Sequence, residues 1–432
     1  MSKRILVLTS VVAMLIVGCE KAEYSLEDID PTYQGKFLDE AVEGLEYKGS
    51  SGKVHLTSNG GYYEYKANEL LGFYVGALNL GSSHASEIIT PRELAGNTAV
   101  ISDAVVSNRI RFMLALDSNK SRIGIQISPK TRKKAQFWES SLDFSLTDGE
   151  FQEEIRRVTK APVYKLPSRL MSKEEAITHF EKTLRCAYSG GYEGSWVSNK
   201  SNEKFGFVGA MIQAAGQALI MGSVQNESNE TSKIVYMTGT HDIDDKVFSF
   251  ATSKSPAYYF DAEARHLIPM EGSAIYVDAY NKTYNYAKGE FINIIEGSHV
   301  IGKFELNRAD ALSNAAYRYT GYGYPHGTIE SEESIEDIVG MVIFDINASG
   351  TVSGMIHDVS NPFDQPRLHG QVDYTTGEIS IVIESTPKAV LRGVLNFTNT
   401  SRDVKIDWFS AKPDTGPIGY VKVSGCQLQA VE

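Results

Sequence analysis

The densest group of ionisable side chains in the sequence is His241-Asp242-Ile243-Asp244-Asp245. Carboxylates on one tight turn are hard oxygen ligands, the chemistry that binds Ca²⁺. The group lacks the glutamate and glycine spacing of an EF-hand. It aligns within the chain with Tyr374-Thr375-Thr376-Gly377, an ordinary hairpin turn, so a solvated turn is expected. A second acidic run holds Glu330, Glu332, Glu333, Glu336 and Asp337. Paired carboxylates do acid–base work when a fold faces them across a cleft. Acids on one loop seldom do, and this run reads as solvated. Gly321-x-Gly323-Tyr324-Pro325-His326-Gly327 has the glycines of a phosphate loop, but Pro325 interrupts it and no helix follows, so a strand and turn are expected. The Gly-x-Ser-x-Gly, Walker and His-Glu-x-x-His motifs are absent, and neither a cofactor nor a metal site is expected.

The N-terminus is the most specific signal. Lys3 and Arg4 precede an apolar run from Ile5 to Val17, too short to span a bilayer as a helix. It ends in Ile16-Val17-Gly18-Cys19, which resembles the bacterial lipobox and marks Cys19 as the lipidated residue. Glu20 follows, where an aspartate would retain the protein at the inner membrane in enteric-type sorting, so the outer membrane is expected. Acyl chains anchor by burying CH₂ groups. Cys186 and Cys426 remain. An isolated pair beyond the inner membrane is expected to be bridged, with two buried free thiols as the alternative. No Cys-x-x-Cys occurs, so neither a thioredoxin-like site nor a zinc cluster is supported.

The chain has 432 residues, more than one ordinary domain needs, and 42% hydrophobic content, enough for real cores. Its net charge of −12 argues against nucleic acid as a partner and against electrostatic docking on anionic lipid.

The fold class expected is α+β, predominantly β. Residues 1–18 read as a lipoprotein signal peptide and 19–36 as a lipidated polar tether. Residues 37–96 form a small β module, with strand patterns around Val42 to Tyr47, Tyr62 to Tyr65 and Leu71 to Ala77 and a turn at Ser58-Asn59-Gly60-Gly61. Residues 97–185 form a helical connector. Val106, Ile110, Met113 and Leu114 share one helical face, as do Phe151, Ile155 and Val158. Ser172 with Glu175 is a capping box that opens a helix carrying Ile177, Phe180 and Leu184.

Two related antiparallel domains, barrel-like or sandwich-like, are then expected over 186–308 and 315–429. Tyr188-Ser189-Gly190 matches Tyr319-Thr320-Gly321, and Met237-Thr238-Gly239-x-x-Asp242 matches Leu368-His369-Gly370-x-x-Asp373 at the same offset, which Ser249 and Ser380 keep. Gly272 with Gly393, and Gly302-Lys303-Phe304 with Gly419-Tyr420-Val421, follow at smaller offsets because the first copy carries extra residues around 256–270. A disulfide would clasp the first strand of the doubled region to its last.

The 23 tyrosines cluster around these repeats. Exposed tyrosine suits protein or glycan recognition, which makes Tyr192, Trp196, Tyr322 and Tyr324 a candidate recognition surface. The competing expectation is that tyrosines are cross-strand partners.

Val42-x-Gly44-Leu45-x-Tyr47, Asn59-Gly60 with Tyr63-x-Tyr65, Gly76 to Gly81, and Ile89-Thr90-Pro91 form one set of signature residues. Leu116-Asp117-Ser118-Asn119 with Gly124-Ile125-x-Ile127, His179-Phe180-Glu181-x-Thr183-Leu184, and the Cys-x-Tyr-Ser-Gly that begins at Cys186 form another. Together they resemble uncharacterised surface lipoproteins of Gram-negative bacteria, some labelled adhesin-like. The resemblance implies surface exposure at the outer membrane and a β-rich extracellular half, and no known activity. Lys120 and Arg122 stand where such sequences are richer in aspartate. Three functions are expected in this order: a non-catalytic module binding a glycan or protein, an envelope structural or assembly factor, and a hydrolase whose site the fold assembles. The membrane is a partner through the N-terminal lipid.

Overall fold

The computed structural model describes residues 31–432 apart from 97–98, 121–123, 163–164, 200–203, 225–232, 251–256, 262–265, 271–274, 294–298, 310–314, 361–364, 386–387, 401, 411–415, 430 and 432. Cys19, most of the expected tether, Arg122 and Gly272 lie outside the described residues. Thr32–Glu432 forms one compact unit.

Its first part holds short strands and five helices. The strands are β1 (Thr32–Phe37), β2 (Val42–Glu43), β3 (Glu46–Lys48), β4 (Val54–Leu56), β5 (Tyr62–Lys66), β6 (Leu70–Val75), β7 (Leu78–His84), β8 (Ile88–Ile89) and β9 (Ile125–Gln126). The helices are α1 (Pro91–Ala95), α2 (Ala104–Ala115), α3 (Pro129–Ala135), α4 (Asp148–Thr159) and α5 (Lys173–Tyr188). β1 pairs antiparallel with β5 and parallel with β8, so the last residues of the expected tether belong to the sheet. β2 pairs with β9, from the segment read as a helical connector. Phe37, Phe73, Ile110, Phe112, Phe151, Phe180 and Leu184 meet in one core, so the module and the helices fold together.

The second part is two eight-stranded antiparallel barrels. The first contains β10 (Gly190–Ser198), β11 (Lys204–Ile212), β12 (Gln217–Val224), β13 (Lys233–Asp242), β14 (Val247–Phe250), β15 (Ala257–Asp261), β16 (His266–Met270), β17 (Ile275–Thr283), β18 (Tyr286–Asn293) and β19 (His299–Arg308). β12 pairs with β13 and β10 with β19, which closes a ring; the hairpin β15–β16 extends from β13 outside it. The second barrel is closed by β20 (Tyr317–Pro325), β21 (Gly340–Ile346), β22 (Thr351–Asp358), β23 (Arg367–Val372), β24 (Glu378–Ile383), β25 (Ala389–Val394), β26 (Val404–Ser410) and β27 (Pro417–Gln427).

The registers show that one ring repeats the other. Placing Thr238 on His369 and stepping through the pairings in either direction gives the same match of β10 with β20. Ser249 falls on Ser380 and Gly302 on Gly419, while the hairpin β15–β16 is the insertion in the first copy. Tyr192, not Tyr188, is the counterpart of Tyr319, because α5 continues through Tyr188 and the strand starts only at Gly190. Gly194 falls on Gly321. A Cβ on either would be driven into a neighbouring strand's carbonyl oxygen, that of Glu305 or of Lys422.

Side chains fill both barrels. Val208, Ala210, Ile220, Phe248, Val277 and Leu306 point into the first; Val342, Phe344, Ile381, Leu391 and Val423 into the second. The alternate residues Met211, Leu219, Met221 and Tyr236 meet Met341, Ile343 and Met355 between the barrels. β21 is therefore buried at every position, since one face looks into its lumen and the other onto its neighbour.

Candidate functional site

Of the residues expected to form a recognition surface, Tyr192, Trp196 and Tyr324 are buried and Tyr322 is half-buried. Tyr192 and Trp196 lie on the inward face of β10, in the core of the first barrel. Tyr324 and Tyr322 point outward from β20, but the first barrel covers that face, and Tyr324 stacks on Tyr420 at 5.3 Å. Strand alternation put these rings on two faces, and packing covers both.

Cys186 and Cys426 form a disulfide with Cα atoms 5.7 Å apart. Cys186 lies in the last turn of α5 and Cys426 in β27, so the bridge joins a helix end to the last strand rather than a first strand to a last.

The end of α5 is where all three parts meet. Arg308 and Arg318 both donate to the carbonyl of Ser189, at 2.6 and 2.7 Å, and Arg308 also donates to that of Ala187. Guanidinium groups are favoured there because carbonyls at a helix C-terminus carry partial negative charge. Arg318 is fully buried and makes a two-point pair with Asp345, at 2.8 and 2.7 Å. Nearby, Lys36 Nζ donates to the carbonyl of Ala315 and to Gln429 Oε1. Burial lowers its pKa to about 7, against the pull of Asp345.

The Asp242 turn is a joint as well. Asp242 Oδ1 accepts the N–H groups of Asp244 and Asp245, Asp244 Oδ1 accepts that of Ile101, and the buried Arg92 donates to the carbonyls of Ile243 and Asp244. The turn is thus docked on the N-terminal part rather than merely solvated. The second acidic run is partly paired: Glu333 accepts from Tyr420 and Lys422, Glu330 pairs with Lys405, and Asp337 caps a short 3₁₀ turn at Ile335–Asp337 with Ser334.

His179 lies between two carboxylates in a cleft of about 340 Å³ beside the disulfide. Its Nε2 is 3.5 Å from Asp39 Oδ1 and its Nδ1 is 3.8 Å from Glu40 Oε1. Burial raises the pKa of Asp39 and Glu40 more than His179 lowers them. Burial opposes charge on His179, but Asp39 and Glu40 outweigh it and its pKa is raised. The carboxylates face opposite ring nitrogens, so one ion cannot bind all three groups. Among the described residues no set of three or more His, Cys, Asp or Glu side chains is arranged to hold a metal ion.

Two of the larger concavities are lined by lysines and aromatic rings. One, of about 700 Å³, lies on the outer wall of the first barrel along β10, β17, β18 and β19. Its charges are paired across strands, Lys288 with Glu305 at 2.6 Å and Lys303 with Glu290 at 3.3 Å. The other, of about 770 Å³, lies between α3 and α4. Lys130, Lys133, Lys134, Lys160 and Lys165 line it with Phe137 and Trp138, and no carboxylate does. All five lysines are exposed, and among the described residues none has an ion-pair partner. Phe137 is 75% exposed at the lip.

Local sequence builds this second cleft. Ser128 caps α3 by accepting the Thr131 N–H, and Pro129 takes the first helical position. Lys130, Lys133 and Lys134 then share one face at i, i+3 and i+4. Thr147 and Glu150 form the capping box of α4, and Lys160 ends that helix in the left-handed region at φ 53°. Sequence reasoning missed this site. Its signal was Lys130-Thr131-Arg132-Lys133-Lys134, a basic run in an acidic chain, followed by an unpatterned Phe137-Trp138.

No family model and no curated protein sequence matches the chain. Among solved structures, a protein assigned as an AttH from Nitrosomonas europaea aligns at 7% identity and a TM-score of 0.18, over 56% of this chain and 92% of its own. Aeromonas veronii immune modulator A aligns at 10% identity and 0.15, over 55% and 93%. Transferrin binding protein B, a vaccine antigen from Haemophilus parasuis Hp5, aligns at 10% identity and 0.15, over 56% and 76%. Scores this low carry no argument about function.

Proposed function

We propose that this chain is a lipid-anchored outer-membrane surface protein that works as a non-catalytic binding module. Its binding face is the cleft between α3 and α4. The observation that carries the reading is the set of five exposed lysines around an exposed aromatic with no carboxylate among the lining residues, on a chain of net charge −12. Like charges kept together without counter-charges repel one another, so the fold gains nothing from the grouping. The test is an array of glycans and matrix proteins probed with the Thr32–Glu432 unit. Retention that a Lys133→Glu/Lys134→Glu variant loses supports the reading, and equal retention of both forms removes it.

The meeting of His179 with Asp39 and Glu40 favours a second reading, a hydrolase. A histidine base needs one nitrogen held by a carboxylate and the other aimed at a nucleophile. Here both nitrogens face carboxylates, and Asp39 is fully buried. Turnover of an ester or glycoside by the wild type and not by His179→Gln would carry that reading instead.

A further inference from the structure

Resting on the reading of the α3–α4 cleft as the binding face, we infer that its ligand is an acidic saccharide, a sugar chain bearing sulfate, phosphate or carboxylate groups. Three features of the cleft define that chemistry. Its volume, about 770 Å³, falls in the range of discrete ligand sites, so it accepts a few sugar rings and not an extended surface. Its lysines come from two directions, Lys130, Lys133 and Lys134 from α3 and Lys160 and Lys165 from beyond α4, so they meet anionic groups spaced along a chain. Phe137 at the lip and the half-buried Trp138 beside it offer ring faces for the apolar faces of sugars, and such amphipathic aromatic area suits glycan contact.

Two details of the backbone agree. Lys130 occupies the first turn of α3, where the helix dipole disfavours a cation, and that turn holds no acid. Lys160 holds a left-handed position that glycine fills most readily. At both places a lysine is kept where local stability favours another residue, and both lysines line the cleft.

Other anionic partners fit less well. A lipid surface is met by a convex face whose aromatic leads, whereas Phe137 rims a concavity. An extended acidic peptide binds well along a free strand edge, whereas helices and loops bound this cleft.

The experiment is calorimetric titration of the Thr32–Glu432 unit, which holds every described element. The probes are a sulfated hexasaccharide, an oligogalacturonate, a neutral dextran oligosaccharide of equal length, phosphatidylglycerol vesicles and an oligoglutamate. At least one acidic saccharide should bind and the neutral one should not, with affinity falling as salt rises. Lys133→Glu/Lys134→Glu should weaken that binding at least tenfold. Phe137→Ala should weaken it severalfold, and Phe137→Trp should keep it. Lys160→Gly should weaken it while raising Tm, which separates lost contact from lost folding. Binding by vesicles or oligoglutamate alone, equal binding of the neutral sugar, or no binding by any probe would overturn the inference. Binding that no cleft variant changes would overturn the location of the site itself.

Discussion

The groove on the first barrel and the cleft between α3 and α4 are similar in size and both are lined by lysines. In the groove each lysine that is paired faces a glutamate on the adjacent strand. In the cleft no lysine has such a partner among the described residues. At the junction of the barrels the pairing is complete and buried, between Arg318 and Asp345, while the cleft leaves its charges to solvent. Paired charge holds the fold, and unpaired charge is what a ligand can meet.

The largest effect should come from breaking the paired side. Asp345→Ala leaves Arg318 buried without its carboxylate and should cost about 3–5 kcal/mol in urea unfolding. Ligand binding at the cleft should persist wherever the variant remains folded. Removing the disulfide by Cys186→Ser/Cys426→Ser should cost about 2–4 kcal/mol, because the unfolded chain loses a long-range constraint. Gly194→Ala and Gly321→Ala should each cost about 1–3 kcal/mol, and by similar amounts, since both place a methyl against a carbonyl oxygen at matching ring positions. Unequal costs would show that the two rings are not equivalent there.

Two histidines should give opposite pH signatures. His179, Asp39 and Glu40 all have raised pKa values in the folded state. Their contribution is full below the ordinary carboxylate range and is lost as pH rises through the raised values. His241, buried and hydrogen-bonded to Asn281 at 3.0 Å, is lowered by burial to about 4. Its contribution is present above about pH 6.5 and is lost as pH falls to about 4. Asp39→Asn/His179→Gln should therefore flatten the rising-pH side of the urea midpoint profile, and His241→Gln the acidic side. The smallest effect is Lys160→Gly, which should stabilise by up to about 1 kcal/mol by relieving a left-handed lysine.

How much could be read from the sequence differs between the same regions. The doubled β region was legible from Met237-Thr238-Gly239 and Leu368-His369-Gly370, because glycines and turns recur where a ring repeats. The insertion in the first copy was legible too, and it is the hairpin β15–β16. The capping box at Ser172 and the apolar spacing of Phe151, Ile155 and Val158 placed helices that the structure contains. What could not be read was cover. Tyr322 and Tyr324 stand on an outward strand face, and nothing local shows that another barrel packs there. The N-terminal part also hid its pairings, since β2, β8 and β9 are two-residue strands joined across long separations. The lysine cleft draws on residues from Ser118 to Pro167, so its concavity exists only after α3 and α4 have packed.

The central claim is that unpaired charge in the cleft, and not charge in general, binds the ligand. The most direct measurement is retention of the Thr32–Glu432 unit on an immobilised sulfated polysaccharide at neutral pH and low salt. The unit carries most of the acidic excess of the full chain, whose net charge is −12, and should be repelled by such a column unless a local site captures it. The account predicts retention of the wild type and of a Lys288→Gln/Lys303→Gln variant in the barrel groove, and flow-through of Lys133→Glu/Lys134→Glu. Flow-through of the wild type, or equal retention of all three, would contradict it.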